Sequence, residues 1–326
     1  MSDFVLYASR LAPGTQGRIE SHAEVGDALH SEACAWVHLK ADDPRSDDWI
    51  AAKMGYLPEA VQDALIAEAT RPRLAVLGEG LLLNLRGVNQ GEDADPEDMV
   101  SVRIWADAAR IVTLTRRPLS AIEEMQARYD AGRGPETAGT FLALLIEDMT
   151  VRIGQVVNEV DIAADDLEDR LLSGQEEGLR PQVNDARAAI VDFRRFLVPQ
   201  REVVSRLAAV HVLFSENDLL ELQEAEDNLR RAVEVLDSLR DRLVVLKDEL
   251  TAQSDARLNR NLYWLSVISA VFLPLGFLTG LMGINLAGMP GARWEPAFWT
   301  FAALCAGVVV VQMGLLWLVG MLGRRR

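Results

Sequence analysis

Residues 262–282 and 298–322 are apolar stretches of 21 and 25 residues that contain no Asp, Glu, Lys, Arg or His. A helix crosses a hydrocarbon core of about 30 Å with about 20 residues, so each stretch is long enough to span a membrane. Between them runs a short segment, Gly283-Ile284-Asn285-Leu286-Ala287-Gly288-Met289-Pro290-Gly291. Everything before Leu262 is polar enough to be water-soluble. The expectation is a large soluble part on a two-span anchor, with the connecting loop carrying whatever the membrane part does.

Charge separates the two parts. Residues 261–326 hold four basic side chains (Arg293, Arg324, Arg325 and Arg326) and one acidic, Glu295, which leaves 29 basic and 48 acidic residues, a net of −19, for the rest. Such a balance opposes nucleic acid, whose phosphates demand the other sign, and attracts cations. Arg257 and Arg260 precede the first span and three arginines follow the second, whereas Arg293 in the loop is offset by Glu295. The positive-inside tendency then predicts an inner-membrane protein with both termini cytoplasmic and the loop outside. Two cysteines, Cys34 and Cys305, give no disulfide framework. The first residues show no basic region followed by a long apolar core, so no signal peptide is expected.

The predicted fold class is α+β. Residues 1–134 read as an α/β domain, with strand candidates at 4–8, 34–40, 81–88, 100–106 and 110–115 and a helix at 58–70. Residues 135–214 read as a helical hairpin: a run over 137–172, a break at Ser173-Gly174, and a return over 181–209 that Pro199 is expected to kink. Residues 215–261 form a stalk. Neither Gly nor Pro occurs between Pro199 and Pro274, and Ser215 suits an N-cap with Asp218 three positions on. A helix from Glu216 to about Leu281 would be roughly 100 Å long. The remaining boundaries are a first span at 262–282, an external loop at 283–297, and a second span with a basic tail at 298–326.

The stalk carries a heptad seam, with Leu222, Leu229, Leu236, Leu243 and Leu250 at one position and Ala225, Ala232, Leu239 and Leu246 three residues later. It fits a coiled-coil dimer, or stalks gathered around a shared axis and covered by the hairpin. In the first span Ser269, Gly276 and Gly283 recur at sevens, which serves close helix packing. The functional reading places Leu262, Leu265, Ser269, Leu273 and Gly276 on one face, lining a narrow apolar pore of an oligomer. The spans lack the ionisable groups of proton-relay transporters. Only Tyr263 and Cys305 titrate there, and neither does so near neutral pH in its ordinary state. Selectivity then falls to the loop, where a ring of Asn285 amide carbonyls could accept hydrogen bonds from the water shell of a divalent cation.

The long helix, Phe272-Leu273-Pro274-Leu275, Gly283-Ile284-Asn285 and Met289-Pro290 resemble the CorA family of divalent-cation transporters, with Ile284 in place of the usual methionine. The aliphatic centre and Pro290-Gly291 are similar to its ZntB zinc-transport branch. Trp36-Val37-His38-Leu39, Trp49-Ile50, Leu57-Pro58 and Glu68-Ala69-Thr70-Arg71-Pro72-Arg73 extend that likeness over nearly the whole chain. The resemblance implies a funnel-shaped homopentamer that transports zinc, with proton-coupled uptake suggested by the branch and no cofactor. It implies an entrance filter of Gly283, Ile284 and Asn285. It also puts Leu262, Leu265, Leu273 and Gly276 at the pore and Asp248 towards the funnel axis. A magnesium, cobalt or nickel channel of the same build, and a membrane-anchored coiled-coil interaction protein, are the alternatives.

Other metal-ligating and charged groups give weaker signals. His22, His30 and Cys34 lie close enough in sequence for a tetrahedral zinc site but lack a second paired motif. His38, between Val37 and Leu39 in a strand, reads as structural, and His211 is isolated. The acidic run Asp161, Asp165, Asp166, Glu168 and Asp169, with Glu176 and Glu177 at the hairpin tip, reads first as a solvated face and second as a cation-sensing surface. No nucleotide loop, catalytic triad or metalloprotease motif occurs, so no enzyme activity is expected.

Overall fold

The computed structural model describes residues 4–11, 17–31, 33–68, 71–89, 98–284 and 294–318. The chain divides into two compact units, residues 1–247 and 248–326.

In the first unit, seven strands form one sheet: β1 (Val5–Arg10), β2 (Gly17–Arg18), β3 (Ala35–Lys40), β4 (Arg73–Leu77), β5 (Gly80–Gly87), β6 (Val100–Ala106) and β7 (Arg110–Thr115). Their spatial order is β2-β1-β3-β7-β6-β5-β4. Among the described residues only β3 and β7 run parallel, paired from Ala35↔Arg110 to Lys40↔Thr115. From β4 to β7 the sheet is an antiparallel meander. Its first hairpin pairs Leu77 with Gly80 across two residues, and Gly78 supplies the positive φ of 62° that such tight turns require.

Alternation along β3 builds the two sides of the core. Val37 and Leu39 are buried in one apolar cluster with Val25 of α1 (His22–Leu29), Ile50 of α2 (Pro44–Lys53) and Leu65 of α3 (Glu59–Ile66). Trp36 and His38 point to the other side, as a period of two demands. Trp36 is fully buried, with ring centroids 5.1 Å from Tyr7, 5.6 Å from Tyr129 of α4 (Ser120–Asp130) and 4.9 Å from Phe141 of α5 (Ala138–Leu172). Its indole Nε1 donates to Thr113 Oγ1 at 2.9 Å, which satisfies the one polar atom of the ring.

Strands β6 and β7 match the sequence boundaries, and β1, β3 and β5 fall within two residues of them. The helices α1, α2 and α4 and the strands β2 and β4 were not expected. α2 begins at an Asp43 cap that accepts from Arg45 N at 3.0 Å, with Pro44 in its first turn. α3 ends at Ile66, short of the predicted residue 70. Arg103, fully buried on β6, donates through Nη2 to Ala67 O at 2.6 Å and caps the end of that helix. Burial pushes its guanidinium down to about 10.

The hairpin is α5 and α6 (Leu179–Ala208), and α6 continues through Pro199. α7 runs from Glu216 to Gly283, 68 residues without interruption. It begins on a reciprocal cap: Ser215 Oγ accepts from Asp218 N at 3.2 Å, and Asp218 Oδ2 accepts from Ser215 N at 2.8 Å. α5 crosses close to this start. A Cβ on Gly139 would lie 2.1 Å from Leu213 O, so only glycine fits.

The heptad seam is closed inside the chain. Leu222, Leu229, Leu236 and Leu243 are at most 1% exposed, and Ala225, Ala232, Leu239 and Leu246 are also buried. Ion pairs fasten α7 to both arms of the hairpin, Arg242 with Asp161, Asp165 and Glu168 of α5 and Asp237 with Arg194 of α6. A seam already covered in one protomer cannot also be the contact of a coiled-coil dimer, which removes the basis of the interaction-protein alternative.

Two consequences are measurable. Leu236→Ala removes a fully covered side chain and should cost about 2–5 kcal/mol, a lowered Tm of the full-length protein in detergent. Val245→Ala, at a position 69% exposed, should leave Tm nearly unchanged. His38 is buried, and burial depresses its imidazole to about 4 from an ordinary 6.5. The unfolded chain therefore binds a proton between those values that the folded chain refuses. That contribution is present above pH 6.5 and is lost as pH falls towards 4, amounting to about 3 kcal/mol. Unfolding measured against pH should show this slope, and His38→Gln should flatten it.

Candidate functional site

Residues at steps of three or four along an α-helix share a face. Asp248, Thr251, Asp255 and Leu258 continue by such steps into Leu262, Leu265, Ser269, Leu273, Gly276, Gly280 and Gly283, all on α7. This whole face is uncovered, with Leu262 51%, Leu265 61% and Leu273 77% exposed. The opposite face is not. Val267 is buried, and Tyr263, Val271, Pro274, Leu275 and Leu278 are half-covered. On α8 (Ala297–Leu318) a matching half-covered stripe runs through Phe301, Ala302, Cys305, Val308, Val309 and Gln312. The predicted pore residues thus fall on the side of α7 left free within a single protomer.

Chemically this face is neutral and smooth from Leu262 onwards. Glycine at 276, 280 and 283 leaves open space where a Cβ would stand. Ser266 and Thr279, to either side, turn their hydroxyls onto Leu262 O and Leu275 O, both at 2.9 Å. Those hydroxyls are satisfied within their own helix, as expected where no water is available. Gly283 is the last helical residue and Ile284, 48% exposed, follows it. Asn285 and the loop to residue 293 lie outside the described residues. Asp248 is exposed, at the acidic end of the same face.

α7 and α8 are the two helices, among the described residues, long and apolar enough to cross a membrane, and both windows are almost entirely uncovered. α8 reaches Leu318, and the rest of the predicted second span lies outside the described residues.

No group of three or more His, Cys, Asp or Glu among the described residues is placed to hold a metal ion. Of the three zinc candidates in the sequence, the side chain of His22 lies outside the described residues, and local bonding works against the other two. His30 Nδ1 is engaged with Gly26 O at 2.7 Å, and Cys34 is buried with its thiol pushed up to about 12, which disfavours the thiolate that zinc binds. His38 is structural, its two nitrogens meeting Thr113 Oγ1 at 2.9 Å and Thr115 Oγ1 at 3.3 Å.

The acidic run is only partly free. Arg242 Nη1 donates to Asp161 at 3.2 Å and Nη2 to Glu168 at 2.9 Å and to Asp165, while Asp166 pairs with Arg170 at 3.6 Å. Hydrogen bonds to Asp165 and Glu168 push the Arg242 guanidinium above its ordinary value. Three of the five carboxylates thus tie α5 to α7, a partnership that spacing along a single helix could not disclose.

The CorA-like Mg2+ transporter protein family matches residues 31–321. The divalent cation transporter CmaX of Pseudomonas aeruginosa is 37% identical over 289 residues, 87% of this chain and 86% of its own. The zinc transport protein ZntB of Pectobacterium carotovorum subsp. carotovorum is 35% identical over 292 residues, 89% of this chain and 88% of its own. In structure, full-length CmaX superposes with a TM-score of 0.82 at 34% identity, covering 96% and 97% of the two chains. The CorA magnesium transporter of Methanocaldococcus jannaschii shares the fold, with a TM-score of 0.77 at 16% identity over 97% and 98%. With an α/β domain, a long helix and two candidate spans aligned to relatives over most of its length, the chain belongs to the CorA-like Mg2+ transporter protein family, a family of transporters and not of enzymes.

Proposed function

We propose that this protein moves divalent metal cations, zinc foremost, across the inner membrane through the axial pore of a homopentamer. The observation that carries the proposal is the uncovered, uncharged face of α7 from Leu262 to Gly283, which ends at the Gly-Ile-Asn sequence. One two-span protomer cannot enclose a channel. Several copies, with this face turned to a common axis and α8 outside, line a pore whose constrictions are rings of leucine and whose narrow wall is glycine and serine. Gly283, Ile284 and Asn285 then form the outer mouth. There the Asn285 carbonyls hold the cation through its water shell, in keeping with a divalent ion that dehydrates reluctantly. Both termini lie in the cytoplasm, and Asp248 of each copy draws cations to the inner end.

Zinc is preferred because the relatives named for zinc transport match most of the chain, and because Ile284 and Pro290-Gly291 follow that branch. The family name and the broader name of CmaX favour magnesium or other divalent ions as the second reading. Proton-coupled uptake is carried over from the branch alone, since the spans contain no Asp, Glu, Lys, Arg or His.

Uptake by proteoliposomes separates these readings. Zinc entry faster than magnesium entry, increased by an inward proton gradient, is the expected result, and magnesium entry indifferent to pH would establish the second reading. Asn285→Ala should reduce selective uptake roughly tenfold or more, equivalent to about 1.4 kcal/mol at the filter, with the assembly unchanged. Wild-type flux from a correctly assembled mutant would remove the filter from the account.

A further inference from the structure

The parallel strands β3 and β7 end side by side at Lys40 and Thr115, and a cavity of about 260 Å3 opens there against the start of α4. Its polar lining includes His38, Lys40, Thr115, Arg116, Arg117 and Glu123, three fixed cations against one carboxylate in a chain whose net charge is −16. The crevice beyond the carboxyl ends of parallel strands is where open α/β sheets place ligands. Helix α4, 11 residues long, adds its N-terminal end and has no side-chain cap.

A buried chain of hydrogen bonds leads to the same cavity. Trp36 Nε1 can only donate, so Thr113 Oγ1 accepts from it at 2.9 Å. The Thr113 hydrogen has two acceptors in reach, His38 Nδ1 at 2.9 Å and Val37 O at 3.5 Å, and the nearer takes it. The network thus assigns the histidine proton to Nε2, which donates to Thr115 Oγ1 at 3.3 Å. Thr115 is only 2% exposed, and its own hydrogen remains to be donated at the cavity wall. Arg116 Nε is likewise shielded from water and meets no acceptor. The ion pairs of the lining cations reach outwards to groups that do not line the cavity: Lys40 to Asp42 at 3.7 Å, Arg116 to Glu68 at 3.6 Å, and Arg117 to Asp98. The single-contact pairs of Lys40 and Arg116 hold their partners weakly, whereas Arg117 grips Asp98 through both Nη atoms.

From this geometry we infer that the α/β domain binds a small tetrahedral oxyanion, phosphate or sulfate, between the ends of β3 and β7 and the start of α4. The Thr115 hydroxyl is its buried donor, and Lys40, Arg116 and Arg117 are its countercharges. The cavity has room for the ion and its water.

Isothermal titration of the full-length protein in detergent with sodium phosphate, against sodium chloride at equal ionic strength, tests this. One saturable site per chain is expected for phosphate and none for chloride. Thr115→Val, which deletes the hydroxyl at constant shape, should weaken binding roughly tenfold. Thr115→Ser should restore it to within about twofold, Lys40→Gln should weaken it, and Arg231→Gln on distant α7 should not. Phosphate heats equal to those of chloride, or unchanged affinity in a folded Thr115→Val protein, would overturn the inference. Glycerol phosphate binding tenfold tighter than free phosphate would overturn the choice of a free ion.

Discussion

The leucine seam of α7 has to be buried somewhere. Each of its covered leucines is worth about 1.5–3 kcal/mol of transfer free energy relative to exposure, so a stalk showing this seam to water would associate through it. In this protein the α5–α6 hairpin closes the seam within one chain, and Arg242 and Asp237 fix the register by gripping the two arms. That intrachain contact decides what is left for assembly. Copies must meet through other surfaces, and the dimeric coiled coil that the heptads alone would allow is already used up.

Within the membrane the driving force differs. Lipid offers α7 no hydrophobic gain for meeting another helix, so close approach of backbones has to supply the attraction. Ser269, Gly276, Gly280 and Gly283 make one face of the span unusually smooth, and that same face carries Leu262, Leu265 and Leu273. On our account this single stripe both brings copies together and forms the wall of the path. With no charge along this stripe, the proposed function gives the choice of ion to the loop at Asn285.

Patterns that depend on one segment were readable in the sequence. The spans followed from uninterrupted apolar length, α7 from the lack of Gly and Pro with a Ser215–Asp218 cap, and β6 and β7 from alternation between clear turns. What escaped depends on partners distant in the chain. β4 is five residues long, lies at the sheet edge and follows Pro72, so its pairing with β5 was its main signal. α2 has a sparse apolar face, with Trp49 and Ile50 carrying most of its burial. The binding of Arg242 to Asp161, Asp165 and Glu168 spans 74 to 81 positions. Its acidic side is visible in the sequence as a run, but the arginine that claims it lies too far along the chain for spacing to reveal. The stripe proposed to line the pore is visible in the sequence by its helical spacing, and that it lies on an uncovered side of α7 could come only from coordinates.

Disulfide cross-linking tests the central claim most directly. In a protein with Cys34 and Cys305 replaced, a single cysteine at Leu265 faces the proposed axis, and one at Val267 faces away from it. Since one cysteine per copy joins only pairs, a bifunctional pair of cysteines, Leu265→Cys with Leu262→Cys, is needed to build a ladder in membranes. The account predicts a ladder that ends at five protomers, and none from cysteines at Val267 and Val271. A ladder that stops at two, or equal cross-linking from the Val267 side, would contradict it.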